Sequence, residues 1–85
     1  MPDDKLRNDI LSEIARLLRE ERLRQKRSLN DVSARAGLNR QTVSFVENEE
    51  RIPTVDTLLR LTAELGVNLE DLIRQARKAA LSKKS

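Results

Sequence analysis

Apolar residues return along this chain at helical spacing, and nowhere do they alternate as a half-buried strand would. Leu6, Ile10, Leu11, Ile14, Leu17 and Leu18 fall on one face at about 100° per residue, which predicts a first helix from Lys5 onward. Residues 1–4 (Met-Pro-Asp-Asp) read as a lead-in, with Asp3 or Asp4 as the cap. Leu23 falls off the stripe, so this helix is expected to bend, fray or end between Glu21 and Lys26. Ser28 then caps a second helix, with Asp31 three residues on as a capping-box partner. Asn39 caps a third. Residues 49–53 form a loop, because Pro53 disfavours helical geometry at Ile52. Thr54 caps a fourth helix, with Val55, Leu58, Leu59, Leu61 and Leu65 as its apolar faces and Gly66 as its stop. Asn68 caps a fifth, striped by Leu69, Leu72, Ile73 and Ala76. That stripe weakens over residues 77–80, and the closing Ser-Lys-Lys-Ser is expected to be disordered. The predicted fold class is all-α, with five helices in a compact domain.

Residues 29–48 (LNDVSARAGLNRQTVSFVEN) carry the most specific pattern. Val32 and Ala36, four apart, share one face of a short helix. Gly37 follows where the chain must turn and a Cβ would be unfavourable. Leu38 is placed to plug the angle between the helices, and Val43 and Val46 give the second helix an inner face. An ordinary helical hairpin can contain such a turn. The shortness of both helices and the polar outer face of the second favour a helix-turn-helix, whose second helix enters the DNA major groove.

Composition narrows the alternatives. Eighty-five residues make one domain with a small core, so dimerisation would help its stability. There is no Cys and no His, which excludes a disulfide framework, a thiolate or imidazole metal site, and Ser-His chemistry. Neither a metal nor a cofactor is expected, and an enzyme is disfavoured. No apolar run approaches membrane-spanning length, so a cytoplasmic chain with no membrane partner is expected. The net charge is only +3, yet Arg22, Arg24, Lys26 and Arg27 cluster without an acid, as do Arg74, Arg77, Lys78, Lys83 and Lys84. Such clusters suit phosphate, or simply make solvated surface.

The order of elements, together with SARAGLNRQTVSFVEN and PTVDTLLRLTAELGVNLEDLI, closely resembles the lambda-repressor-like DNA-binding domain of the Cro/cI-type (XRE family) transcriptional regulators. The resemblance spans about residues 10–75, with residues 1–9 as the lead-in and start of the first helix and 76–85 as a basic tail. It implies a homodimer on double-stranded DNA. Three departures stand out. Leu29 occupies a position where the family commonly has Gln, and Glu49 one where it often has Gly. The Gly-Leu that usually precedes the capping Ser is missing from residues 23–27. The family pairs the counterpart of Glu47 with an Arg of the first helix, which is Arg22 in an ungapped match and Arg19 if residues are inserted before Ser28.

With Val43 and Val46 inward, helical arithmetic turns Gln41, Ser44, Phe45 and Asn48 outward, and Arg40 sits at the helix start. Arg40 suits guanine and Gln41 suits adenine, Ser44 can donate or accept, and Phe45 can cover a thymine methyl. The backbone N–H groups at Leu29 and Asn30, with Asn39, Thr42, Asn48 and Arg51, are candidates for phosphate. Leu69, Leu72 and Ile73 are expected to form the dimer interface. The leading expectation is a sequence-specific repressor or activator, foremost a repressor, that binds a palindrome as a homodimer. An antitoxin or restriction-modification controller, working with a toxin or anti-repressor partner, shares this compact form. A protein-interaction module that kept the fold without DNA is the alternative from another class.

Overall fold

The computed structural model describes residues 2–83, and among these it contains five helices and no strand. They are α1 (Pro2–Arg24), α2 (Leu29–Ala36), α3 (Arg40–Glu47), α4 (Val55–Leu65) and α5 (Leu69–Ser82). No helix among the described residues is long and apolar enough to cross a membrane.

Most of the boundaries follow from side chains that satisfy the first free N–H groups of a helix. Ser28 accepts from the Asp31 N–H at 3.0 Å, Asn39 from the Thr42 N–H at 2.8 Å, and Thr54 from the Thr57 N–H at 3.0 Å. Asn68 stands at the N-cap of α5 without a side-chain capping bond; its amide donates to Asp71 instead. Asp31 gives its carboxylate to Arg27 and Arg35 rather than closing a capping box with Ser28. Asp3 and Asp4 are not caps. The helix already runs from Pro2, so both positions lie inside its first turn rather than ahead of it.

The core is one cluster built from all five helices. Ile14 and Leu18 of α1 meet Val32 and Ala36 of α2, Val43 and Val46 of α3, Leu58, Leu61 and Leu65 of α4, and Leu72 and Ala76 of α5. Leu23 is exposed, as its place off the stripe requires, and so are Val55 and Leu59. The helices α1 and α5 share the most extensive contact. The small Ala76 and Ala80 are fully buried, which lets α5 lie close to its neighbours.

This contact continues past the point where the sequence stripe fades. The segment expected as a basic tail is helical as far as Ser82, and Lys83 caps the helix. Lys83 Nζ lies 2.6 Å from Oε2 of Glu13, a buried carboxylate whose Oε1 accepts from Arg16 Nε at 2.8 Å. Lys83 and then Arg16 hold the Glu13 carboxyl below its ordinary value, outweighing burial, so it stays charged inside the fold. Of the four residues expected to be disordered, Ser82 ends the helix and bonds the Lys78 carbonyl, Lys83 is held by α1, and residues 84 and 85 lie outside the described residues.

Candidate nucleic-acid interface

Two short helices and the turn between them form the site. Gly37 adopts φ 74°, and its N–H and that of Leu38 return to the Ala34 and Ser33 carbonyls at 3.3 and 2.9 Å, closing α2. The left-handed backbone is what calls for glycine here: a Cβ would sit 2.9 Å from Arg60 Nη1, the tip of a flexible side chain that could move aside. Leu38 packs half-buried against the core, in the angle between α2 and α3. Val43 and Val46 bury the inner face of α3.

The outer face carries most of the residues expected to meet DNA. Arg40, Gln41 and Asn48 are exposed, while Thr42, Ser44 and Phe45 are half-buried. Asn39 and Asn30 are exposed beside them. Leu29 turns its side chain toward the core, which gives the departure at this position a packing role and leaves only its backbone N–H for an anion. The side chains of Asn39 and Thr42 bond each other at 2.9 Å, and those of Ser44 and Asn48 at 3.2 Å.

The C-terminal end of α3 is tied down. Arg22 donates from Nε and Nη2 to the two carboxylate oxygens of Glu47 at 2.7 and 2.9 Å, and its Nη1 reaches the Arg27 carbonyl at 2.8 Å. The ungapped partner Arg22, rather than Arg19, therefore braces α3. Both side chains are buried, and the Glu47 carboxylate holds the Arg22 guanidinium above its ordinary value. Glu49 takes φ 60°, a conformation costing a non-glycine residue about 1–2 kcal/mol, and its carboxylate accepts from Ser12 Oγ at 2.5 Å. Glu50 N–H and Arg51 N–H both return to the Phe45 carbonyl, at 2.8 and 3.3 Å.

That turn brings the Arg51 guanidinium over the Phe45 ring, 4.7 Å from its centroid. Phe45 is thus neither a free outward aromatic nor a core residue: it supports a cation at the edge of the outer face. No sequence signal joins these two residues, because the turn between them is set by a left-handed glutamate. Gln41, Thr42, Phe45 and Arg51 line one open groove with Ile52 and Pro53.

The expected electrostatic footprint is redistributed. Arg22, Arg24 and Arg27 pair with Glu47, Glu21 and Glu64, so residues 22–27 mostly hold the fold together. Gln25 and Arg27 also donate to the Leu65 and Glu64 carbonyls at the end of α4, at 2.8 and 3.1 Å. These contacts fix the α1–α2 turn, where Lys26 adopts φ 57° in place of the family's glycine. Arg40, by contrast, is exposed and has no carboxylate partner among the described residues. The expected dimer stripe is also revised. Leu72 is 4% exposed in the chain's own core and Leu69 packs half-buried on it, leaving only Ile73 at the surface.

Comparison with known proteins agrees with this geometry. Residues 18–72 match the helix-turn-helix family model. The chain is 40% identical over 68 residues to an uncharacterized HTH-type transcriptional regulator of Sinorhizobium fredii, covering 80% of this chain and 83% of that protein. No solved structure matches significantly. A glycine-closed α2, an α3 with its polar face outward and a family match across both make the chain a member of the XRE-type helix-turn-helix family of DNA-binding transcriptional regulators.

Proposed function

We propose that the chain is a repressor that binds a palindromic operator as a homodimer in the cytoplasm, with α3 as the recognition helix. The observation that carries this is the polarity of α3. Its C-terminal end is held by the buried Arg22–Glu47 pair, while its N-terminal end offers exposed Arg40 and Gln41. The N-terminal residues of a recognition helix are those that meet base edges. Arg40 pairs bidentately with guanine N7 and O6, and Gln41 with adenine N6 and N7; Ser44 and Phe45 extend the contact along the groove. Arg51, carried on Phe45, and the N–H groups at Leu29 and Asn30 grip phosphate, with Asn39, Thr42 and Asn48 at the groove edges. One module this small buries too little surface for tight and selective binding, which argues for two copies. Occupying promoter DNA is sufficient for repression.

Selection from a randomised duplex library tests the reading. The expected product is a palindrome with half-sites about 34–36 Å apart, one DNA turn. Enrichment of single, unrepeated sites, or no enrichment, would reject it.

A further inference from the structure

The apolar residues of α4 divide into two sets. Leu58, Leu61 and Leu65 enter the core. Val55 and Leu59, one turn apart, remain 66% and 52% exposed, and Ile52, just before the helix, is 73% exposed. Ala63, a further turn along, is exposed as well. Among the large apolar side chains of the described residues these three are the most exposed, and Leu23, at 50%, stands apart from them on α1. On α5, Ile73 and Leu81 are less exposed and the exposed Arg77 stands between them, so they form no continuous strip.

Charge lies along the same edge in a definite order. Asp56 and Arg60, one turn apart, follow Val55 and Leu59 on the flank of this edge; they pair with each other at 2.9 Å, and Arg60 Nη1 also reaches the Ala36 carbonyl at 3.5 Å. When such a helix is laid antiparallel on a copy of itself, the order reverses and still matches. Val55 falls opposite the partner's Leu59, Ile52 approaches the partner's Ala63, and Asp56 of each chain faces Arg60 of the other. A two-fold interface demands this self-complementarity. A membrane surface or an unrelated protein does not.

We propose that a second copy of this chain docks on the Ile52–Val55–Leu59–Ala63 edge, α4 against α4 across a two-fold axis. The proposal rests on the homodimer reading above and replaces α5 with α4 as the seat of the contact. Ile52 lines the same groove as Gln41 and Phe45, so the axis runs beside the two recognition helices. Stable interfaces bury about 800 Å² per partner, more than four side chains supply, so the dimer is weak in free solution and completes on DNA.

A charge exchange tests this. Asp56→Arg and Arg60→Asp each set like charges against one another in a homodimer, yet the two variants are complementary when mixed. The helix's own pair stays broken in both chains, so recovery on mixing reports only the contact between copies. Two-copy occupancy of the selected palindrome, read by sedimentation, should need roughly tenfold more of either variant alone and return toward wild type in the equimolar mixture. Leu59→Glu should weaken two-copy binding similarly, and Ile73→Glu should not. Melting curves show that each variant is folded; Leu59→Glu serves should Arg60→Asp unfold the chain, because Arg60 also lies beside Gly37. A mixture no better than its components, or Ile73→Glu acting as strongly as Leu59→Glu, overturns the proposal. Wild-type dimers that persist through every α4 variant sink the α4 contact alone, whereas a wild-type chain that binds the palindrome only as a single copy sinks the homodimer reading with it.

Discussion

The two ends of α3 are built on opposite principles. At its C-terminal end nearly every group is engaged: Glu47 with Arg22, Ser44 with Asn48, Glu49 with Ser12, and Phe45 under Arg51. At its N-terminal end only the cap is engaged, Asn39 with Thr42, and Arg40 and Gln41 stand in solvent. A helix that must present side chains in a fixed pose needs one end immobilised by partners in its own fold. The other end must stay unpaired, because an internal partner there would compete with a base edge.

The largest expected effect is at the held end. Arg22→Ala leaves a buried Glu47 carboxylate without its cation and should destabilise the fold by about 3–5 kcal/mol, measured by denaturant unfolding. If the loss stays below about 1 kcal/mol, as for a surface pair, α3 is not held in this way. At the presented end, Arg40→Ala should leave the melting temperature unchanged and cost about 1–3 kcal/mol on the selected site, relaxing preference at one base pair. Arg51→Ala should instead weaken all sequences about equally and lower the salt slope by about one. Identical behaviour of the two variants would erase the distinction between reading and gripping.

Smaller changes sharpen the comparison. Lys26→Gly should stabilise the chain by about 1 kcal/mol, because glycine takes the left-handed turn without strain. Glu49→Gly should gain less by thermal unfolding, since it also removes the bond from Ser12. An equal gain at both sites would mean that this bond does not help hold the end of α3. The smallest effect is expected far from α3. Glu13 is held below its ordinary value, so its contribution is complete above about pH 4.3 and fades as pH falls through the lower folded value. Glu13→Gln should therefore flatten part of the acid limb of a melting-temperature profile and leave its neutral limb parallel to wild type. An unchanged acid limb would show that the Lys83–Glu13 contact does not fasten α5 to α1.

Much of this protein is fixed by relations within a few residues. Ser28, Asn39 and Thr54 each cap an N–H three residues ahead, and Gly37 and Gly66 end helices at positive φ, so these boundaries are legible in the sequence. The helix-turn-helix is readable for the same reason: both faces follow from helical period alone. Tertiary structure decided what depends on distant partners. The choice of Arg22 over Arg19 spans 25 residues to Glu47, and the Gln25 and Arg27 bonds to the end of α4 span 40 and 37. The order of the last helical turn rests on Lys83 reaching Glu13, and Phe45 meets Arg51 only because Glu49 turns left-handed. Which leucines of α4 and α5 face outward was likewise open, because an apolar stripe records that a helix has a buried side but not how wide a side its neighbours cover. Local geometry set the elements, and packing set which of their side chains remain free to meet another molecule.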